Sequence, residues 1–265
     1  MSVAYLINTT PKYFYLLELH IALIRRYAPG IKWDIYLATE VPEHPICKKL
    51  AAVGILLLPL DVSDSGFLKS RAAALALLPD SVRYVLPMQE DFLLERMPDL
   101  SAIQESLQIF SADPTVLSIR WMPCPGPAAM RKYNGSDSWY FLDPALDEYL
   151  FCFQATLWRK EAILEWYEKL CNQFLVDYPW TLSDEERRLA EIRANYAENR
   201  KGQYYFKKWM MGEDKKHLAW KRKFSAPNGV YMSPWPYRPT AVIGGQLQPF
   251  AKELAEREGF NLLVQ

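Results

Sequence analysis

Cysteine is scarce in this chain. Cys47, Cys124, Cys152 and Cys171 stand far apart in apolar settings, with no CxxC spacing among them. That argues against a structural zinc site and a disulfide framework, and fits free thiols in a reducing compartment. Net charge is missing as well: lysine plus arginine and aspartate plus glutamate each number 31. No basic field therefore draws in nucleic acid or an anionic membrane. No apolar run reaches the ~18 residues of a membrane helix, and no basic segment with a small-residue cleavage site precedes Val3. These absences predict a soluble, cytoplasmic protein. The GxSxG, GxxxxGKS/T, HExxH and GxGxxG signatures are absent too, and with them the chemistry each carries.

What is present is a large apolar fraction. Half of the 265 residues are hydrophobic and 14% are aromatic, enough for the core of one large domain. The first half alternates short apolar runs with helical patterns. Strands are predicted at Val3–Asn8, Trp33–Ala38, Ile55–Leu60 and Tyr84–Gln89, continuously apolar as strands buried on both faces are. Helices fall between them: Pro11–Tyr27, Pro45–Val53 and Phe67–Leu78, the last entered through a Ser/Asp/Gly loop at 61–66. Such an alternation builds a mostly parallel sheet with helices on both faces, the nucleotide-binding type of α/β fold.

After Pro98 the pattern changes. A helix over Leu100–Phe110 leads to a strand over Val116–Trp121, and the Pro/Gly/Ser-rich stretch 123–138 reads as a site loop. A strand over Tyr149–Trp158 and a helix over 160–176 follow. Ser183–Met211 reads as a charged helix capped by Ser183 with Glu186 three residues on. Pro227–Gly245 is a proline- and aromatic-rich wrap, and Gln248–Glu258 a last helix.

The segment carrying most information is Met88-Gln89-Glu90-Asp91. An open parallel sheet exposes its ligand site at the carboxyl ends of its strands, so Glu90 and Asp91 are aimed at that crevice. Carboxylates there can hold a hard divalent cation. The arrangement resembles the GT-A glycosyltransferases, whose central sheet ends in an acidic DxD-type motif; here the motif is Gln89-Glu90-Asp91, with Gln89 in place of the first acid. The resemblance covers roughly residues 1–160. It implies a single catalytic domain whose residues 1–122 take a nucleoside-diphosphate sugar and whose residues 123–265 form the acceptor side. It also implies a divalent cation, Mn²⁺ or Mg²⁺, on Asp91 with Glu90 second, bridging the diphosphate as the sugar departs.

The same resemblance assigns nucleotide contacts to Thr9 and Thr10 after the first strand, and pyrophosphate contacts to Lys69 or Arg71. Trp121 and Trp158 are candidates for stacking on sugar rings, with a place in the core as the commoner alternative. Direct displacement onto an acceptor hydroxyl needs a base. Glu198, at the break between a charged helix and a glycine turn, is chosen over Glu185, Glu186 and Glu191, which sit in a run of charges, with Asp147 and Glu148 in reserve. His217 is either a phosphate or metal contact or, more ordinarily, a surface histidine. Two other functions stay open: a catalytically inactive glycosyltransferase-like binding module, and a sugar nucleotidyltransferase.

Overall fold

A computed structural model describes residues 2–62, 66–121, 127–178, 183, 185–186, 189, 197–212, 215–220, 233–238 and 240–262. The four predicted strands of the first half form as β1 (Val3–Asn8), β2 (Asp34–Thr39), β3 (Leu56–Pro59) and β4 (Tyr84–Gln89). All six residues of β1 are buried, the condition that made its apolar run legible. Helices α1 (Leu17–Tyr27), α2 (Pro45–Ala52) and α3 (Phe67–Ala76) connect them, and the segment Pro11–Leu16 preceding α1 is a 3₁₀ helix rather than its first turns. Helix α2 starts at Pro45, where a missing N–H costs nothing, and His44 accepts from the Ile46 N–H.

The remaining elements are β5 (Leu93–Leu94), α4 (Leu100–Ala112), β6 (Val116–Arg120), β7 (Trp139–Phe141), β8 (Thr156–Arg159), α5 (Lys160–Asp177), α6 (Arg200–Met211), β9 (Lys216–Trp220), β10 (Tyr237–Arg238), β11 (Val242–Ile243), β12 (Gln246–Leu247) and α7 (Pro249–Arg257). One eight-stranded sheet runs in the order β3-β2-β1-β4-β8-β6-β9-β7. Strands β3, β2, β1, β4, β6 and β9 point one way, and β8 and β7 run against them. The mixed, mostly parallel α/β class is therefore as the sequence predicts. Helices α1, α2, α4 and α7 cover one face through Leu19, Leu23, Cys47, Leu50, Phe110 and Leu254. Helices α3, α5 and α6 cover the other through Leu68, Leu75, Trp166, Leu170 and Phe206.

Several predicted boundaries move. The strand expected over 149–158 shrinks to β8, because 149–154 is a loop whose amides bond to Gln203 of α6 and to Glu198 just before it instead of to neighbouring strands. The expected helix 183–211 is broken by a turn at 197–199, and α6 begins anew at Arg200 with Asn199 capping the Gly202 N–H. Most of 187–196 lies outside the described residues, as does 227–232 of the predicted wrap. The Ser183/Glu186 capping box does form, with Ser183 N–H donating to the Glu186 carboxylate at 2.9 Å and Glu186 N–H to the Ser183 hydroxyl at 3.2 Å. No helix among the described residues is long and apolar enough to cross a membrane.

Candidate functional site

Strand order reverses at β1: the chain moves outward through β2 and β3, then returns to place β4 on the other side of β1. Asn8 and Gln89 are partners in the β1–β4 register, so both stand at the carboxyl end of this switch point, where open α/β sheets hold their ligands. A crevice opens there. Its polar lining is Asn8, Gln89, Arg71 of α3 and Gln154 of the loop before β8, and its apolar wall includes Phe151, Phe153 and Tyr167.

Arg71 is the cation of this crevice. Its guanidinium lies 3.7 Å from the centre of the Phe67 ring and 5.2 Å from that of Phe153, and one N–H donates to the Phe67 carbonyl at 2.8 Å. Rings on which a guanidinium stacks hold it in place and shield it from water. Lys69, two residues earlier on α3, is exposed and does not line the crevice. A helix turns by about 200° over two residues, so α3 can present only one of the two basic side chains to the sheet.

Glu90 and Asp91 follow Gln89 directly but diverge from the crevice lining. Glu90 is buried, and burial, reinforced by the Asp91 carboxylate, raises its pKa to about 8 against the pull of backbone hydrogen bonding, Arg71 and the Thr9 hydroxyl. Asp91 is raised to about 6, again chiefly by burial, while the Val242 N–H draws it back. Its carbonyl accepts the Ala241 N–H at 3.0 Å, so Asp91 ties β4 to the C-terminal hairpin β11–β12. Below the pair lies a relay from the core. The Glu90 carbonyl, able only to accept, takes the proton of His20 Nδ1 at 3.1 Å, which leaves Nε2 to accept from Tyr5 at 2.9 Å. Buried and so bonded, His20 stays neutral, its pKa lowered to about 4. Neither the sequence pattern nor the resemblance pointed to this support. The sole signal was a histidine among the apolar positions of α1.

The oxygen ligands for a divalent cation therefore reduce to Asp91, with Glu90 committed to burial and to Thr9. Among the described residues no group of three or more histidine, cysteine, aspartate or glutamate side chains is placed to hold a metal ion. The residues present do not fit a cation site of the expected kind. Thr9 is buried, donates its N–H to Ala38 at 3.3 Å and supports Glu90, whereas Thr10 is exposed and its side chain caps nothing.

Glu198 lies in the turn before α6 and is not among the residues that line the crevice. Its carboxylate accepts the Phe153 N–H at 2.6 Å, which places it behind a crevice residue. Arg71 and Glu198 both act on the buried Tyr167 hydroxyl, whose pKa is raised, mainly by burial. The rival acids go elsewhere. Glu185, Glu186 and Glu148 are exposed, and Asp147 is buried as a loop staple that accepts the Ala128 and Asp143 N–H groups at 2.7 Å; Glu191 lies outside the described residues. Trp121 is in the core, its ring 6.2 Å from that of Trp235, and Trp158 is buried with one edge at the crevice. The surface reading of His217 is overturned. It is 1% exposed on β9, bonded to Ser118 and enclosed by Trp158, Phe206 and Trp209, and burial lowers its pKa to about 3. The stretch 127–138 does not line the crevice; it packs Tyr133 against the β7 edge.

No protein-family model matches the chain, and no curated protein matches it in sequence. Solved structures do share its outline. S. aureus TarS residues 1–349 are 13% identical over 64% of this chain, with a TM-score of 0.42. The chain spans about half the length of that structure, 50% of it. The galactosyltransferase LgtC, in complex with donor and acceptor sugar analogues, is 11% identical over 97% of this chain and 95% of its own, with a TM-score of 0.45. A 4-diphosphocytidyl-2C-methyl-D-erythritol synthase from Anaerococcus prevotii is 12% identical over 88% and 96% respectively, at 0.42. At such identities and scores these are likenesses of outline, from which no activity follows.

Proposed function

We propose that the chain is a glycosyltransferase of the GT-A type, moving a sugar from a nucleoside-diphosphate donor to a hydroxyl of a glycan or other acceptor. The observation that carries this reading is the crevice at the β1–β4 switch point, with the stacked Arg71 guanidinium on one wall and the amides of Asn8, Gln89 and Gln154 around it. A planar cation with forked donors suits a pyrophosphate. Amide side chains, which donate and accept, suit sugar hydroxyls. Residues 1–122 take the donor and 123–265 complete the acceptor side. Glu198, held against Phe153, is the carboxylate that receives the acceptor's proton as the hydroxyl attacks. For a cation, Mn²⁺ or Mg²⁺, Asp91 alone would remain as a charged ligand.

The test is a thermal-shift series with uridine and guanosine, their mono- and diphosphates, and the matching diphosphate sugars. A ligand that binds only the native state at about 100 times its Kd adds roughly 2.7 kcal/mol to stability. One nucleoside diphosphate and its sugar should raise the midpoint well beyond the nucleoside. Equal effects of nucleoside and diphosphate, or none from any, would refute the proposal.

A further inference from the structure

We infer that the donor's diphosphate is held at this site by Arg71 rather than by a divalent cation; the inference rests on the function proposed above and assigns the countercharge within it. Three observations meet here. The position that opens the acidic segment, Gln89, is the one that lines the crevice, and it carries an amide. The two acids that follow are spent on structure. Glu90 is buried under the Thr9 hydroxyl, and Asp91 holds the C-terminal hairpin through the Val242 and Ala241 N–H groups. A hard cation needs several oxygen ligands converging at short range; of the two acids only Asp91 remains to offer one, and among the described residues no three histidine, cysteine, aspartate or glutamate side chains converge to add to it.

The positive charge is instead supplied by the protein. Arg71 is buried to 9% exposure yet lines the crevice, and it lies over the Phe67 ring with Phe153 beside it. A guanidinium keeps its proton in any such setting and can bond two phosphate oxygens at once. In a crevice walled by Phe151 and Phe153 its attraction for an anion is screened less than at an open surface. The sugar's departure leaves negative charge on the diphosphate, and Arg71 is the group positioned to stabilise it.

Titration calorimetry of the full chain with UDP and with GDP, in EDTA and in Mn²⁺ or Mg²⁺, decides the matter. The Kd of the bound diphosphate should be unchanged between EDTA and metal, in the wild type and in Asp91→Asn alike. Arg71→Lys, which retains the charge but loses the fork and the stacking, should weaken binding by about tenfold or more in both conditions, the worth of a charge-assisted hydrogen bond. Circular dichroism establishes that each variant is folded, and Arg71→Gln serves in place of a lysine variant that is not. Binding that strengthens tenfold on adding metal, with the gain lost in Asp91→Asn, overturns the inference while leaving the proposed function standing. Failure of both diphosphates to bind in either condition removes the function itself, and the inference with it.

Discussion

Tyr167 feels both opposed charges of the site: burial raises the pKa of its hydroxyl most, Arg71 on α3 pulls it down and Glu198 before α6 pushes it up. If Glu198 takes the acceptor proton, Glu198→Gln keeps an oxygen for the Phe153 N–H and removes only the basicity. Transfer should then fall about a hundredfold, with the calorimetric Kd for the nucleoside diphosphate unchanged. Unaltered turnover would leave Glu198 the single duty of anchoring Phe153. At this scale the sequence was half legible. It offered Lys69 and Arg71 as equals, because α3 reads Phe-Leu-Lys-Ser-Arg-Ala-Ala-Ala-Leu-Ala and its alanines mark neither face strongly. The structure decides by geometry, turning Arg71 inward and Lys69 to solvent. For Glu90 and Asp91 the sequence located the pair at the strand end but could not foresee their burial, which depends on a hairpin some 150 residues away, Val242–Leu247. His217 was misread because two lysines precede it; the Lys216 ammonium reaches Asp113 at 3.0 Å and leaves the next residue to point into the aromatic core.

Loop 149–154 shows why some elements resist reading from local pattern. Its aromatic, apolar sequence suggests a strand, yet Gln203 of α6 occupies its backbone. The Gln203 amide oxygen accepts the Leu150 and Phe151 N–H groups at 2.8 and 3.0 Å, and its nitrogen donates to the Phe151 carbonyl at 2.6 Å. One buried side chain thus satisfies three backbone groups that a sheet partner would otherwise take. Gln203→Ala strands all three, so a loss of roughly 3 kcal/mol or more is expected in urea denaturation. Nucleotide affinity should weaken as well, since Phe151, Phe153 and Gln154 form part of the crevice. A loss of no more than about 0.5 kcal/mol, the range of an ordinary surface change, would show that water replaces the amide. Strands β1 to β4 were legible because they are buried on both faces, whereas β5, β10, β11 and β12 have two residues each and exist through their pairings alone. Tyr237 makes such a pairing permanent: its hydroxyl donates to Gln154 at 2.7 Å and accepts the Ala155 N–H at 2.9 Å, joining the C-terminal segment to the crevice loop.

Across the whole molecule the buried titratable groups set how stability depends on pH. His20 and His217 have pKa values lowered to about 4 and about 3. When pH falls below the ordinary histidine value of about 6.5, the unfolded chain takes up protons that the native state refuses, and both histidines then favour unfolding. Glu90 and Asp91 act in the opposite sense. Their pKa values are raised to about 8 and about 6, so the native state holds protons that the unfolded chain has released. Their relative stabilisation is complete below the unfolded carboxyl values and is lost as pH climbs through the native ones. Between pH 4.5 and 6 the two pairs oppose each other. From about 6.5 to 8 the unfolded histidines shed the last of their protons and Asp91 completes its ionisation in the native state, so of these four groups Glu90 differs most between native and unfolded chain, and its loss outweighs the histidines' remaining gain. The free energy of unfolding should therefore decline across pH 6.5–8 and level off above it. Glu90→Gln replaces the protonated carboxyl with a neutral group of the same shape that can still bond the Thr9 hydroxyl, and it should flatten that decline while leaving the acid limb of the histidines in place. Urea titrations at pH 6.5, 7.2 and 8 on both proteins measure this directly. A wild-type chain as stable at pH 8 as at 6.5, or a decline that persists unchanged in Glu90→Gln, would place the Glu90 carboxyl in water and remove the buried acid from the end of β4.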